Sequence, residues 1–237
     1  MKGYGQFCPI AVASEIVAER WTPLILREVI LNQSRRFDEI RQGLPLISRS
    51  LLIQRLRTLE DAGLIESRPR ANGRGNDYVP TPAAEEFREV LDRLGTWGQR
   101  WGTGQFDIQN LDLGLLLWNM KRRVDVRRLP DRRVVVRFEF RGFPARCKPL
   151  RLGWLILHRR GSDVCVKDPM FDIDLRVQAD ASALVQVWMG ALTFDDAIHS
   201  GGVRLDGSRD LVRGFPTWFL LSRFAGVDRS VPGRTPR

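Results

Sequence analysis

The chain has 237 residues, of which 43% are hydrophobic and 28% are charged, and its formal net charge is +10. This composition is typical of a folded globular protein, and the length exceeds the commonest domain size of about 100–150 residues, so we expect two domains. No apolar run approaches the roughly 18–20 residues that span a bilayer, and the N-terminus lacks the apolar stretch of a signal peptide, so we expect a cytoplasmic protein that binds no membrane.

The positive charge suggests a polyanionic partner such as nucleic acid, but it is unevenly distributed. Residues 1–102 hold 15 Lys and Arg against 13 Asp and Glu, whereas residues 103–237 hold 23 against 15. Net charge alone therefore does not locate a nucleic-acid site, and the local arrangement of residues has to do so.

The cysteines and histidines predict neither a disulfide framework nor a metal site. Cys8, Cys147 and Cys165 form an odd and widely separated set, and His158 and His199 lack the spacing of metal ligands. We therefore expect no metal and no cofactor.

The first hundred residues predict four helices followed by a hairpin and a fifth helix. Apolar residues at helical spacing predict helices from Ile10, from Thr22 and over residues 36–44, and Ser48 begins a fourth helix over residues 48–59 and slightly beyond. The pair Asn72-Gly73 is a strong signal for a hairpin, here with arginines at its tip. The fifth helix begins at residue 82 and carries a longer apolar face than one small domain needs, so we expect it to dimerise. That face consists of Phe87, Val90, Leu91, Leu94, Trp97 and Trp101.

This order of elements is that of a winged helix-turn-helix. The first turn of a recognition helix offers free N–H groups and a positive dipole end to phosphate, and its side chains reach base edges. The candidates on this helix are Ser48, Arg49, Ser50, Gln54 and Arg55. Gln54 is suited to adenine, and Arg49 or Arg55 to guanine. Flanking arginines are expected to contact mainly phosphates or an adjacent minor groove, and they are Arg35, Arg36, Arg68, Arg70 and Arg74. The alternative is that the arginines of this helix form an ordinary solvated face.

The second part of the chain has a different pattern, with a boundary near residue 105. Strands are expected over residues 134–140, 152–157, 164–166 and 173–177, and helices over residues 181–190, 193–199 and 208–219. The fold class is therefore α+β. We expect a DNA-binding and dimerisation domain over residues 1–104, a ligand-binding domain over 105–230 and a flexible tail over 231–237.

Residues 6–101 resemble the HxlR family of winged-helix regulators, relatives of the MarR group. The segments that carry the resemblance are 8–10 (CPI), 21–28 (WTPLILRE), 36–40 (RFDEI), 47–51 (ISRSL) and 55–65 (RLRTLEDAGLI). The resemblance implies a homodimer that binds double-stranded DNA at an inverted-repeat operator and regulates nearby genes. It also implies a redox-sensing role for Cys8, which matches the position of a sensor cysteine in that family, with an inert thiol as the alternative.

Part of the second domain resembles the sterol-carrier-protein fold, in segments 186–198 (QVWMGALTFDDAI), 202–207 (GVRLDG) and 210–213 (DLVR). That resemblance implies a sheet packed on helices around an apolar tunnel, and so a hydrophobic small molecule as effector. The candidate lining residues are Trp154, Phe171, Trp188, Met189, Phe215, Trp218 and Phe219. Ordinary core packing is the alternative for each of them.

We expect no enzymatic activity. His158 and His199 have no recognisable nucleophile partner, and the acidic pairs are as readily explained by helix caps and turns. The sequence thus predicts a transcriptional regulator, modulated by a hydrophobic small molecule or by oxidation. The alternative is a carrier of lipids or aromatic ligands whose winged helix mediates protein contacts.

Overall fold

The computed structural model of the protein describes residues 3–71, 73, 75–102, 112–143 and 150–228. The chain forms two compact units, Met1–Gly95 and Thr96–Arg237. The predicted domain boundary near residue 105 and the predicted tail over residues 231–237 lie outside the described residues, so both stay predictions. Asn72, Arg74 and Cys147 lie outside them as well.

The first unit is a set of helices with one antiparallel hairpin, which confirms the predicted order of elements. The elements are α1 (Pro9–Val17), α2 (Thr22–Leu26), a π-helical turn (Arg27–Leu31), α3 (Phe37–Gln42), α4 (Arg49–Asp61), β1 (Ile65–Pro69), β2 (Asn76–Pro80) and α5 (Pro82–Trp101), the last of which continues into the second unit. The core consists of buried aliphatic side chains from α2 to α5, among them Ile25, Leu26, Val29, Ile30, Ile40, Leu52, Leu56, Leu59, Ile65 and Leu91.

A buried carboxylate fixes where α3 ends and therefore where the chain turns toward α4. Glu28 has no exposed surface, and its carboxylate accepts hydrogen bonds from Arg27 Nη2 at 2.6 Å and from Asn32 Nδ2 at 2.9 Å. Arg27 Nη2 also donates to the carbonyl of Gly43 at 3.1 Å. A Cβ at Gly43 would lie 2.2 Å from the Glu28 carboxyl carbon, so only glycine fits here without breaking these bonds.

The hairpin is joined to the segment that precedes α3. β1 and β2 pair antiparallel, with Ser67 opposite Tyr78. The Tyr78 amide donates to the carbonyl of Arg35 at 2.8 Å, and the backbones of Arg36 and Asp77 form an isolated antiparallel β-bridge. The hairpin is thus attached to the start of α3 and is held next to the helix-turn-helix.

The second unit contains a mixed sheet of five strands with helices. Its elements after α5 are α6 (Leu113–Arg122), a 3₁₀ turn (Val126–Arg128), β3 (Val134–Arg141), β4 (Leu152–Leu157), β5 (Asp163–Cys165), β6 (Leu175–Asp180), α7 (Ala181–Trp188), α8 (Phe194–His199), β7 (Val203–Gly207), α9 (Arg209–Gly214) and a second 3₁₀ turn (Phe215–Thr217). The strand order is β5-β4-β3-β6-β7, in which only the β3–β6 pair is parallel.

The core of the second unit lies between one sheet face and its helices. Alternate residues of β3, such as Val136 and Phe138, are fully buried in this core, whereas Arg137 and Glu139 lie on the opposite face. Phe215 is the centre of an aromatic group, with edge-to-face contacts to the rings of Phe194, Trp218 and Phe219.

The α+β fold class and all four predicted strand regions of the second unit are confirmed. Residues 152–157 form a strand with the predicted bounds, and the ends of the other three are shifted by up to three residues. One helix prediction was too long. Residues 208–219 form α9 and then a 3₁₀ turn, because Pro216 has no N–H to continue the α-helical hydrogen bonds.

Candidate nucleic-acid interface

α4 has one apolar face in the core and one polar face in solvent. Leu52, Leu56 and Leu59 are buried. Ser48 caps the helix, since its hydroxyl accepts the amide hydrogen of Leu51 at 3.3 Å, and it also lies 3.3 Å from the Ser50 hydroxyl. The predicted side chains Ser48, Arg49, Ser50 and Gln54 are all exposed, so the first two turns of α4 present a polar surface.

Arg49 is held in place by the preceding helix. Its guanidinium lies 4.7 Å from the ring centroid of Phe37, the first residue of α3. α3 itself is anchored by Glu39, whose carboxylate accepts the amide hydrogens of Arg35 and Arg36 at 3.0 and 3.1 Å. The two helices of the motif therefore present Arg49 as a preorganised charge rather than a freely rotating one.

Arg55 differs from the other candidates on α4. Its Nη2 forms an ion pair at 2.5 Å with Glu19, which follows α1, and only 14% of its side chain is exposed. Its Nε is buried and has no hydrogen-bond partner. The structure thus places Arg55 between α4 and the end of α1, away from the exposed polar turns.

The arginines predicted to contact phosphate have different environments. Arg36 is exposed, whereas Arg35 donates from Nη1 to the carbonyl of Val29 at 2.7 Å and supports the fold. On the hairpin, Arg68 is exposed and pairs with Glu66 at 2.7 Å, and Arg70 lies 3.6 Å from Asp77. Arg74 was predicted at the hairpin tip and lies outside the described residues.

A groove of about 570 Å³ separates α4 from the hairpin. The polar residues that line it are Arg36, Asp38, Arg49, Arg57, Glu60, Ser67, Arg70, Asn76 and Tyr78. Arg57 and Asn76 were not among the predicted site residues. Arg57 follows Arg49 by two helical turns, and that spacing was the available signal.

Tyr78 is half-buried and lines this groove. Burial raises the pKa of its phenol, the Glu60 carboxylate raises it further, and Arg57 lowers it. The Asn76 amide nitrogen donates to the Ser67 hydroxyl at 2.6 Å, and the Ser67 amide donates to Glu60 at 3.1 Å. The groove wall is therefore hydrogen-bonded internally. The exposed guanidiniums of Arg36, Arg49 and Arg57 are the groups in the groove that can attract an anion.

Cys8 immediately precedes α1 and is exposed. α1, which is described along its whole length, buries none of its residues, although it is apolar. Phe7, Ile10 and Val12 are likewise at least half exposed. The thiol is thus accessible in the first unit.

The seven aromatic and methionine candidates of the second unit do not line one pocket. Trp188 and Phe219 border a gap with no room for a water molecule, and Phe215 and Trp218 are fully packed in the core. Trp154 is on the opposite face of the sheet from that core. Phe171 is 40% exposed and lies under the Arg133 guanidinium, and Met189 is half-buried at the end of α7.

Comparison with known proteins identifies the first unit. Residues 16–106 match the HxlR-like helix-turn-helix family. An uncharacterised HTH-type transcriptional regulator of Methanothermobacter thermautotrophicus is 32% identical over 100 residues, which are 41% of this chain and 75% of that protein. The uncharacterised HTH-type regulator YvaP of Bacillus subtilis is 31% identical over 99 residues, or 40% of this chain and 90% of YvaP. In its first unit, the chain belongs to the HxlR-like helix-turn-helix family.

One solved structure matches the chain over a similar share of its length. The reduced form of the transcriptional regulator YodB from B. subtilis is 26% identical, with a TM-score of 0.36, and the match covers 40% of this chain and 95% of that one. These relatives are transcriptional regulators by name, and their matches cover about two fifths of this chain. They do not identify the second unit.

Two absences hold for the part of the chain that the structure describes. No group of three or more His, Cys, Asp or Glu side chains in it is arranged to hold a metal ion. Among the same residues, no helix of the HxlR-like unit or of the second unit is both long and apolar enough to cross a membrane.

Proposed function

We propose that the protein is a sequence-specific transcriptional regulator that binds an inverted-repeat operator as a homodimer. The observation that carries this proposal is the division of α4 into a buried leucine face and exposed polar first turns, beside an arginine-lined groove. Such a helix can enter the major groove, which admits an α-helix, while the hairpin follows the adjacent backbone.

In this proposal, some residues of the first unit contact bases and others contact phosphates. Ser50 and Gln54 are exposed on the first turns of α4, and Gln54 can form two hydrogen bonds with adenine. Arg49 can reach guanine from its position over Phe37. Arg36, Arg57 and Arg70 line the groove and are suited to phosphates, which fix register without selecting sequence.

The homodimer part of the proposal is supported by an exposed apolar stripe on α5. Val90, Leu94, Trp97 and Trp101 are 49%, 51%, 61% and 49% exposed. Their spacing of four, three and four residues is that of a coiled-coil seam. Monomeric proteins rarely expose contiguous apolar surface of this kind, so a second copy of the chain is the occupant we assign to it.

Regulation by oxidation or by a hydrophobic molecule belongs to the same proposal. The exposed Cys8 thiol supports the first form. For the second, a sterol-carrier-like second unit is supported by its mixed sheet with helices on one face. A ligand would have to separate Trp188 and Phe219, because the gap between them holds no water molecule.

A salt titration of DNA affinity tests the proposal against the carrier alternative. A regulator that neutralises several phosphates shows a logarithmic affinity that falls linearly with the logarithm of salt concentration. A carrier whose winged helix contacts only proteins shows no such dependence. Duplex binding that is absent at low salt would contradict the proposed function.

A further inference from the structure

The second unit carries most of the positive charge of the chain, and the DNA-binding motif does not use it. Residues 103–237 hold 23 Lys and Arg against 15 Asp and Glu. The segment 121–133 is the densest part, with seven basic residues and two acidic ones. This charge requires its own explanation, because the helix-turn-helix and its groove lie in the first unit.

Several of these basic residues meet at one end of the sheet. We call the following set the basic ridge: Lys121, Arg122, Arg127, Arg128, Arg159 and Arg160. Arg159 comes from the β4–β5 turn, and its Nε donates to the carbonyl of Leu129 at 2.9 Å, just beyond the 3₁₀ turn that carries Arg127 and Arg128. Lys121, on the last turn of α6, lies 3.7 Å from Asp163 at the start of β5.

The acidic partners do not neutralise this ridge. The Asp125 side chain is 7% exposed, and its carboxylate lies 2.9 Å from the Arg127 guanidinium and 3.5 Å from that of Arg128. The two arginine side chains are 84% and 59% exposed. One buried carboxylate therefore positions two solvent-facing cations. Asp131 and Asp163 are 85% and 70% exposed and lie 3.6 and 3.7 Å from their partners, so these are weak surface pairs that a phosphate can replace.

Arg122 and Lys121 are fixed in a different way. The Lys121 ammonium lies 4.5 Å and the Arg122 guanidinium 5.1 Å from the ring centroid of Trp118, which is buried in α6. Stacking on a rigid ring reduces the side-chain entropy that is lost when a cation binds an anion. The ridge thus consists of cations held in position by their neighbours. Four of them are exposed and two, Lys121 and Arg122, are partly exposed.

We propose that the basic ridge is a second DNA-binding surface, which contacts the phosphate backbone outside the segment that α4 reads. This inference rests on the proposed function of the first unit. The ridge is built from the C-terminal end of α6 and two turns, and it lacks the exposed N-terminal helical turns with which a recognition helix reaches base edges. It therefore adds affinity for any duplex and no sequence preference.

The experiment measures how duplex affinity of the full chain depends on salt, with a duplex of random sequence several helical turns long. Arg159→Gln with Arg160→Gln removes two ridge charges, and Arg127→Gln with Arg128→Gln removes two others. The matched control is Arg176→Gln with Arg204→Gln, which removes two exposed charges from the sheet face opposite the core. Asp131→Asn, at an exposed position, raises the ridge charge without removing a guanidinium.

We expect each ridge variant to reduce the slope of log affinity against log salt by about 2, and the control to leave it unchanged. Asp131→Asn is expected to tighten binding at low salt, which tests the ridge even if a double variant folds poorly.

Equal slopes for ridge and control variants would overturn the second surface while leaving the first unit's function intact. A wild-type chain without salt-dependent DNA binding would overturn both. If the ridge variants lose binding to phosphatidylserine vesicles but keep the DNA slope, the ridge serves a membrane and not DNA.

Discussion

The guanidinium of Arg55 on α4 lies 2.5 Å from the carboxylate of Glu19, which follows α1. The two side chains are only 14% and 25% exposed, so the pair is largely withdrawn from water. The pair joins α4 to the N-terminal part of the first unit. The sequence predicted that Arg55 contacts a base, whereas in the structure its guanidinium pairs with the Glu19 carboxylate within the unit.

We expect Arg55→Gln and Glu19→Gln each to lower the free energy of unfolding by about 1–3 kcal/mol, because each leaves a mostly buried partner unpaired. The double variant is expected to lose less than the sum of the two, since both remove the same interaction. Urea denaturation measures these values, with the exposed Arg57→Gln as control. An Arg55→Gln variant of unchanged stability that prefers a different base pair would contradict this role.

Gln54 is expected to carry sequence preference. Gln54→Ala removes an exposed amide on the second turn of α4 and should reduce discrimination at one base pair by about 1–3 kcal/mol, with little change in nonspecific affinity. Competition binding with single-base operator variants measures this. Gln42→Ala, at the exposed end of α3, is the control. Uniform weakening on all sequences would refute the base-reading role.

Arg57 is expected to contact phosphate. Because it lines the groove between α4 and the hairpin, Arg57→Gln should weaken binding to all sequences alike and reduce the salt slope by about 0.9. The exposed Arg41, which does not line the groove, provides the control Arg41→Gln. If both substitutions have the same effect on the slope, the groove does not hold the backbone.

Dimerisation is expected to depend on the apolar stripe of α5. Leu94→Glu places a charge within the stripe and should shift the chain from dimer to monomer in analytical ultracentrifugation. Arg100 lies on the same helix, about a quarter of a turn around the helix axis from the middle of the apolar stripe. Arg100→Glu should therefore leave the dimer intact. A Leu94→Glu chain that remains dimeric would show that the second copy binds elsewhere.

Oxidant response is expected to depend on Cys8. If Cys8 is the sensor, Cys8→Ser should abolish an oxidant-induced change in operator binding that the wild-type chain shows. Cys165→Ser is the control, because burial and then Asp163 raise the pKa of the Cys165 thiol, and this disfavours its reactive thiolate. A normal response from the Cys8→Ser chain would remove the sensor hypothesis.

Local pattern was enough to predict the helix-turn-helix, since Leu52, Leu56 and Leu59 recur at helical spacing and are all buried. It was not enough for Arg55, whose partner Glu19 is 36 residues away and meets it only in the folded unit. α6 was missed because residues 113–118 are almost entirely apolar and show no periodicity. The resemblance to the sterol-carrier-protein fold implies a tunnel in the second unit, and the structure places Phe215 and Trp218 in edge-to-face contact with each other in the core. Composition does not distinguish a lined cavity from a core.

We expect the first turns of α4 to read an operator that has the symmetry of a homodimer. Selection of bound sequences from a pool of random duplexes tests it most directly. We expect an enriched inverted repeat with half-sites separated by about one helical turn, 10–10.5 base pairs, or a multiple of it. Binding without any enriched motif, or an enriched motif without two-fold symmetry, would contradict operator reading by a homodimer.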